Sequence, residues 1–123
     1  MLESSLDPGN GLMLDHFREL LAPLGHIRTR AMFGGTGIWC DDAFIAIVID
    51  DQIYLKVDGL TQPEFERWGL QPFAYSAKGK TVTLGFWTVP EEALESARAM
   101  KPWGLMALAA ATRKSLGQSR KRN

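Results

Sequence analysis

Among 123 residues there is one cysteine, Cys40, and there are two histidines, His16 and His26. One thiol excludes an internal disulfide, and with only two imidazoles beside it the chain falls short of a four-ligand structural zinc site. No run of about 18 apolar residues occurs, so no segment reads as a membrane-spanning helix and no membrane partner is expected. The opening MLESSLDPGNG has acids and turn formers where a secretory signal would have basic and then apolar residues, so a cytoplasmic protein is expected. Net charge is absent too, with 14 basic residues balancing 14 acidic ones. The balance is uneven, however. Residues 1–111 hold nine basic and 14 acidic residues, whereas 112–123 hold five basic and none acidic. A net negative body argues against binding nucleic acid through its own field, while the tail is free to touch phosphate.

What is present is ordinary globular composition: 46% apolar, 23% charged and 10% aromatic. A chain of 13.7 kDa buries about two thirds of its surface on folding, enough for one core. Leu12, Phe17, Leu20, Leu21 and Leu24 recur at helical spacing, predicting a helix over about 11–22 that Gly25 stops. From Ile27 the period becomes two, and Gly34-Gly35 turns the strand into a second one over 37–41. Asp41-Asp42 and Asp50-Asp51 bound a wholly apolar third strand, AFIAIVI, and Ile53, Leu55 and Val57 mark a fourth. Thr61 and Glu64 have capping-box spacing for a short helix ended by Gly69. A last hairpin, 72–77 and 81–89, turns at Lys78-Gly79-Lys80, and two helices launched by Pro90 and Pro102 close the chain, the second running to Gly117. These connections are too short for parallel crossovers. The fold class is therefore α+β, an antiparallel sheet of about five to six strands with an N-terminal helix and two C-terminal helices packed on it. The expected organisation is a flexible 1–10, a domain over 11–111 and a basic helix end and tail over 112–123.

No catalytic, cofactor or metal set assembles from these residues. Gly34-Gly35-Thr36-Gly37 joins two strands, whereas a dinucleotide loop opens a helix. Gly79-Lys80-Thr81 ends like a Walker A loop, yet the glycine that motif needs before it is Ala74. The two Asp pairs sit at opposite ends of one strand, about 25 Å apart at the usual strand rise, and each alone serves turn chemistry. Cys40 shares the apolar side of its strand with Ile38, as an inert thiol does, and His16 and His26 suit cap or surface roles.

The informative feature is the second face of the sheet. If Ile27, Ile38, Ile53 and Val82 face the helices, then Arg28, Arg30, Met32, Trp39, Tyr54, Lys56 and Trp87 point the other way. An aromatic and basic face of this kind suits a protein partner, a second subunit, coverage by a terminal helix, or stacked nucleic acid. Lys78 and Lys80 at the hairpin tip, with Arg113, Lys114, Arg120, Lys121 and Arg122 in the tail, are candidates for weak, nonspecific phosphate contacts.

Arg30-Ala31-Met32-Phe33-Gly34-Gly35-Thr36-Gly37-Ile38, with Phe44-Ile45-Ala46-Ile47-Val48, Ile53-Tyr54-Leu55-Lys56-Val57 and Val89-Pro90-Glu91-Glu92-Ala93-Leu94, resembles the N-terminal domain of the TfoX/Sxy competence-regulator family over about 14–111. The resemblance implies an α+β domain and a non-enzymatic role in control of DNA-uptake genes, acting with the cyclic-AMP receptor protein at promoters. Full regulators of that family carry a second, helical domain; here a basic tail follows, so a single-domain member is expected. Phe33, Gly34, Gly35 and Gly37 are assigned to shaping the hairpin, with glycine supplying positive φ. The functional expectation is a regulatory adaptor that works by protein contact, with a homodimeric protein- or small-ligand-binding module as the alternative.

Overall fold

The computed structural model describes the backbone of residues 11–32 and 34–122, and the side chains of 13–32 and 34–117. Helix α1 (Gly11–Leu21) and a 3-10 turn (Ala22–Leu24) lead into β1 (Ile27–Met32), β2 (Gly35–Cys40), β3 (Ala43–Ile49) and β4 (Gln52–Lys56). Then come α2 (Gln62–Arg67), β5 (Pro72–Ala77), β6 (Lys80–Trp87), a 3-10 turn (Glu91–Leu94) and α3 (Ala97–Arg122). The expected flexible segment 1–10 lies outside the described residues. The six strands form one sheet ordered β1-β2-β3-β4-β6-β5, and all pairings are antiparallel. The α+β class holds.

Local chemistry sets the element ends. Three two-residue turns have both residues at positive φ: Asp41 and Asp42 (47° and 74°), Asp50 and Asp51 (52° and 62°), and Lys78 and Gly79 (52° and 78°). These are the turns whose twist matches the flanking strands, and aspartate tolerates that backbone better than most side chains. The Asp41 carboxylate also accepts the His26 N–H at 3.0 Å. At α2 the expected capping box does not form. Asp58 instead accepts the N–H groups of Leu60 and Thr61 at 3.1 and 3.2 Å, while Glu64 turns toward Arg67 and Trp68. The two expected closing helices are the 3-10 turn at Glu91 and one 26-residue helix, α3. Ser96 starts α3 ahead of Pro102 by accepting the Ala99 N–H on its hydroxyl at 3.0 Å, so Pro102 lies within the helix on an exposed side and Gly117 does not end it.

Helices cover one face of the sheet. Helix α3 crosses β3 and β4, and α1 packs on α3, so that Phe17, Leu21, Met100 and Trp103 meet Ile38, Val48, Ile53 and Leu55 in one core. A methyl group at Gly104 would stand 2.5 Å from Leu24 Cδ1, so its absence sets how closely α3 approaches the end of α1. Phe65 is the buried residue of α2, its ring edge-on to Trp103 at 5.0 Å and to Trp87 at 6.4 Å.

Two irregularities decide which side chains reach the opposite face. Ile38 pairs with Ala46 but Trp39 pairs with Phe44, so Ile45 is an extra residue in β3. Ile45 and Ala46 are consequently both in the helix-side core, while Phe44 and Ile47 turn away from it. The second concerns β6, whose expected phase is reversed. Leu55, a core residue, stands opposite Trp87, which brings Trp87 into the helix-side core. Val82 stands opposite Tyr75 and, with Leu84 and Phe86, belongs to the open face. Alternation within one strand is symmetric, and only pairing with β4 settles its phase.

Candidate functional site

The open face is a trough floored by strands and walled by aromatic rings. Trp39 on β2 stacks on Phe44 of β3 at 4.5 Å and 16° between planes, and Phe44 meets Phe86 of β6 at 5.2 Å. Cations sit on this strip: the Arg28 guanidinium lies 5.8 Å from the Trp39 ring centre, and the Lys56 ammonium lies 4.5 Å from that of Phe86 and 6.0 Å from that of Phe44. A second group joins Tyr54 to Phe73 at 5.1 Å, and Phe73 to Tyr75 at 6.2 Å. Between the two groups lies a cavity of about 520 Å³ over Ile47 and Ile49, bounded by Met32 on one sheet edge and by Phe73 and Tyr75 on the other. For both edge strands to border one cavity the sheet must curl, and extra residues in β3 and β6 provide the bend.

Of the expected face, Arg28, Arg30, Met32, Trp39, Tyr54 and Lys56 do share it, and Trp87 does not. Phe44, Ile47, Ile49, Phe73, Leu84 and Phe86 belong to it as well and were not anticipated. The uniform apolar run of β3 was the available signal, because a strand apolar on both sides needs cover on both. The six strands contain Arg28, Arg30, Lys56 and Lys80 and no acidic residue, and register puts all four cations on the open face.

Electrostatics differ among the cations. Arg28 reaches the exposed Asp42 at 3.3 Å. Burial, then the neighbouring Lys114, push the Lys56 ammonium below its ordinary pKa. Among the described residues, no carboxylate comes within ion-pair distance of Lys56. Burial, then Asp50, raise the pKa of the Tyr54 phenol. Of the expected phosphate contacts, Lys78 and Lys80 are exposed at the β5-β6 turn, and Lys114 is exposed on α3. Arg113 is committed elsewhere, donating to Asp58 at 2.6 and 3.0 Å. The side chains of Arg120, Lys121 and Arg122 lie outside the described residues.

The hairpin glycines do different jobs. Gly34 has φ of 76°, as expected, but Gly35 and Gly37 do not need positive φ. A side chain at Gly35 would strike the Val48 carbonyl, and one at Gly37 would come within 2.7 Å of the Met32 sulfur and 2.8 Å of the Trp39 ring. Gly37 thus makes room for the Trp39 indole on the open face. Phe33 lies outside the described residues. Cys40 is fully buried, and burial, then Asp41, raise its pKa. His16 donates from Nε2 to the Leu94 carbonyl at 2.8 Å, joining α1 to the second 3-10 turn. Among the described residues no group of three or more His, Cys, Asp or Glu is placed to hold a metal, and no helix is long and apolar enough to cross a membrane.

These features define a small α+β domain, a curled antiparallel sheet with helices on one face and an aromatic, cationic trough on the other. The chain belongs to the TfoX N-terminal domain family, whose sequence profile matches residues 19–111. It is also 30% identical over 77 residues to the DNA transformation protein TfoX1 of Aliivibrio fischeri, a match covering 63% of this chain. That stretch is 37% of the relative, so the chain corresponds to little more than a third of that protein.

Proposed function

We propose that the chain is a non-enzymatic regulatory adaptor connected with DNA-uptake competence, acting by protein contact through the open face of its sheet. Family membership and the relative named for DNA transformation support the biological setting. The observation that carries the mode of action is the face itself. Trp39, Phe44 and Phe86 form a continuous ring strip with the Arg28 guanidinium over one end and the Lys56 ammonium over the other, and aromatic rings and arginine are the residue types enriched at protein interfaces. The cyclic-AMP receptor protein is the partner to test first, and the basic end of α3 adds weak phosphate contact at a promoter.

In the test, the full chain is titrated into the cyclic-AMP receptor protein bound to a labelled promoter duplex, with fluorescence anisotropy as readout. Saturable binding that Arg28→Gln with Trp39→Ala abolishes, with a little-changed circular dichroism melt, is the expected result. Binding that survives both substitutions removes this face from the mechanism. Replacing Lys114, Arg120, Lys121 and Arg122 with Gln should flatten the salt dependence without removing protein contact.

One observation favours a second reading, a homodimer without a regulatory role. The edge strand β5, PFAYSA, carries no charge and leaves Tyr75 44% exposed, whereas the other edge, β1, is guarded by Arg28 and Arg30. Light scattering separates the readings: a concentration-independent dimer supports the second, and a monomer excludes it.

A further inference from the structure

We infer that the trough on the open face binds a single-chain amphiphile with an anionic head, of the fatty-carboxylate class. Three observations carry this. The first is shape. Met32 on β1 and Phe73 on β5 border the same cavity although their strands are five steps apart, about 24 Å along the curled sheet at the usual spacing, so the space runs across the strands as a groove. Its volume of about 520 Å³ falls in the ordinary range for small-molecule sites.

The second is the lining. Thr36 borders the space from β2 while its side chain follows Ile38 to the helix side. Apart from the Tyr75 phenol, the other bordering side chains offer hydrocarbon, aromatic rings and one thioether, which leaves little with which to read the edge of a base or sugar. A methylene chain asks for nothing more than burial.

The third is charge. Every strand-borne charge is positive and on this face, in a chain whose residues 1–111 carry excess acid. Lys56 is half-buried against Phe44 and Phe86, two rings that border the cavity, and after burial itself the charge of Lys114 acts against its ammonium. An ammonium held there with no carboxylate among the described residues in ion-pair reach is complementary to an anionic head and repels a cationic one. Desolvation and the second lysine both disfavour its charge, and a bound carboxylate reverses that imbalance.

The inference does not depend on the adaptor reading, since it needs no protein partner. The experiment is isothermal titration of the full chain with octanoate, decanoate and dodecanoate below their micelle concentrations, alongside decanol and decyltrimethylammonium. Methyl shifts in nuclear magnetic resonance spectra locate the site. The expected result is saturable one-site binding that tightens about four-fold per added methylene until the groove is filled. Decanoate should exceed decanol at least ten-fold, decyltrimethylammonium should not bind, and shifts should centre on Ile47, Ile49 and Leu84. Lys56→Gln should erase the preference for decanoate over decanol, and Leu84→Trp should block both. If either variant fails to fold, the head-group comparison and the shift map on the unaltered protein still decide. Absence of saturation, equal binding of decanol and decanoate, shifts centred elsewhere, or a wild-type dimer that closes the face against all the probes would each overturn the inference.

Discussion

Replacing Phe65 with alanine tests how the helix-side core is held together. Phe65 is fully buried and is the one buried residue within α2, so a helix of six residues is anchored by a single ring between Trp103 and Trp87. Removing a buried phenyl costs the transfer free energy of its carbons plus a cavity term, about 3–5 kcal/mol together. A domain of this size has a total stability of about 6–18 kcal/mol and loses about 4 °C of Tm per kcal/mol. Phe65→Ala should therefore melt about 12–20 °C below wild type and unfold at clearly lower urea. Tryptophan fluorescence is the natural probe, because Trp68, Trp87 and Trp103 surround the site. Glu66→Ala on the exposed side of the same helix is the control and should stay within about 0.5 kcal/mol. A loss below about 1 kcal/mol for Phe65→Ala, with an unchanged denaturant slope, would show that α2 contributes no anchor to the core and would refute the reasoning.

The Asp41-Asp42 turn should respond with opposite signs at its two positions. Asp42→Gly relieves a positive φ of 74° and loses only an exposed ion pair, so it should raise Tm by a few degrees; Asp41→Gly also loses the His26 hydrogen bond and should lower it, as thermal melts of the two variants will show. The hydrogen bonds from Arg113 are the chief cause that lowers Asp58 to a pKa of about 2. Because the folded value lies below the unfolded one, the unfolded chain binds more protons here, and the stabilisation present above about pH 4 is lost as pH falls toward 2. Arg113→Gln should accordingly be less stable than wild type at neutral pH and nearly equal to it at pH 2, measured by urea titration. Cys40 should react with a thiol-specific disulfide reagent only at the rate of global unfolding, because its sulfur is fully buried and its pKa is raised; rapid modification of the folded chain would contradict this packing.

Much of the architecture was legible because it rests on local rules. The period change at Ile27, the Asp pairs that bound the apolar run 43–49 and the Lys78-Gly79 tip each predicted an element end that the chain adopts. The misplacements occur where a distant residue decides. Pro102 looks like a helix start until Ser96 supplies an earlier cap. Thr61 and Glu64 have the spacing of a capping box, yet Asp58 is nearer to the free N–H groups and is itself fixed by Arg113, 55 positions along the chain. Trp87 and Phe86 are interchangeable by alternation, and only the pairing of Leu55 with Trp87 separates them. The trough was the least legible feature, because its borders come from segments as separated as Met32 and Leu84 and exist only once the sheet curls.

That curl follows from inserted residues in β3 and β6 more than from overall composition, and Ile45 is the one that re-aims the floor. Without the extra Ile45, strict alternation from the core residues Ala46 and Val48 would leave Phe44 on the helix side, inside a layer already filled by Phe17, Phe65 and Trp103. With Ile45 inserted, β3 gives Ile45 and Ala46 to the helices and Phe44, Ile47 and Ile49 to the other face. The same insertion bends the strand and sets Phe44 flat against Trp39, for which Gly37 leaves the necessary space. The bulge in β3, the second irregularity in β6 and one missing side chain therefore turn what would have been a flat solvent face into a concave apolar one. Among the described residues no helix covers that face, yet its own side chains pack closely enough to leave Ile47 and Phe86 each only 6% exposed, with cations ranged along it. Curvature is what separates the two proposals physically: a protein partner needs the ring strip and its cations at the rim, whereas a chain-like ligand needs the floor.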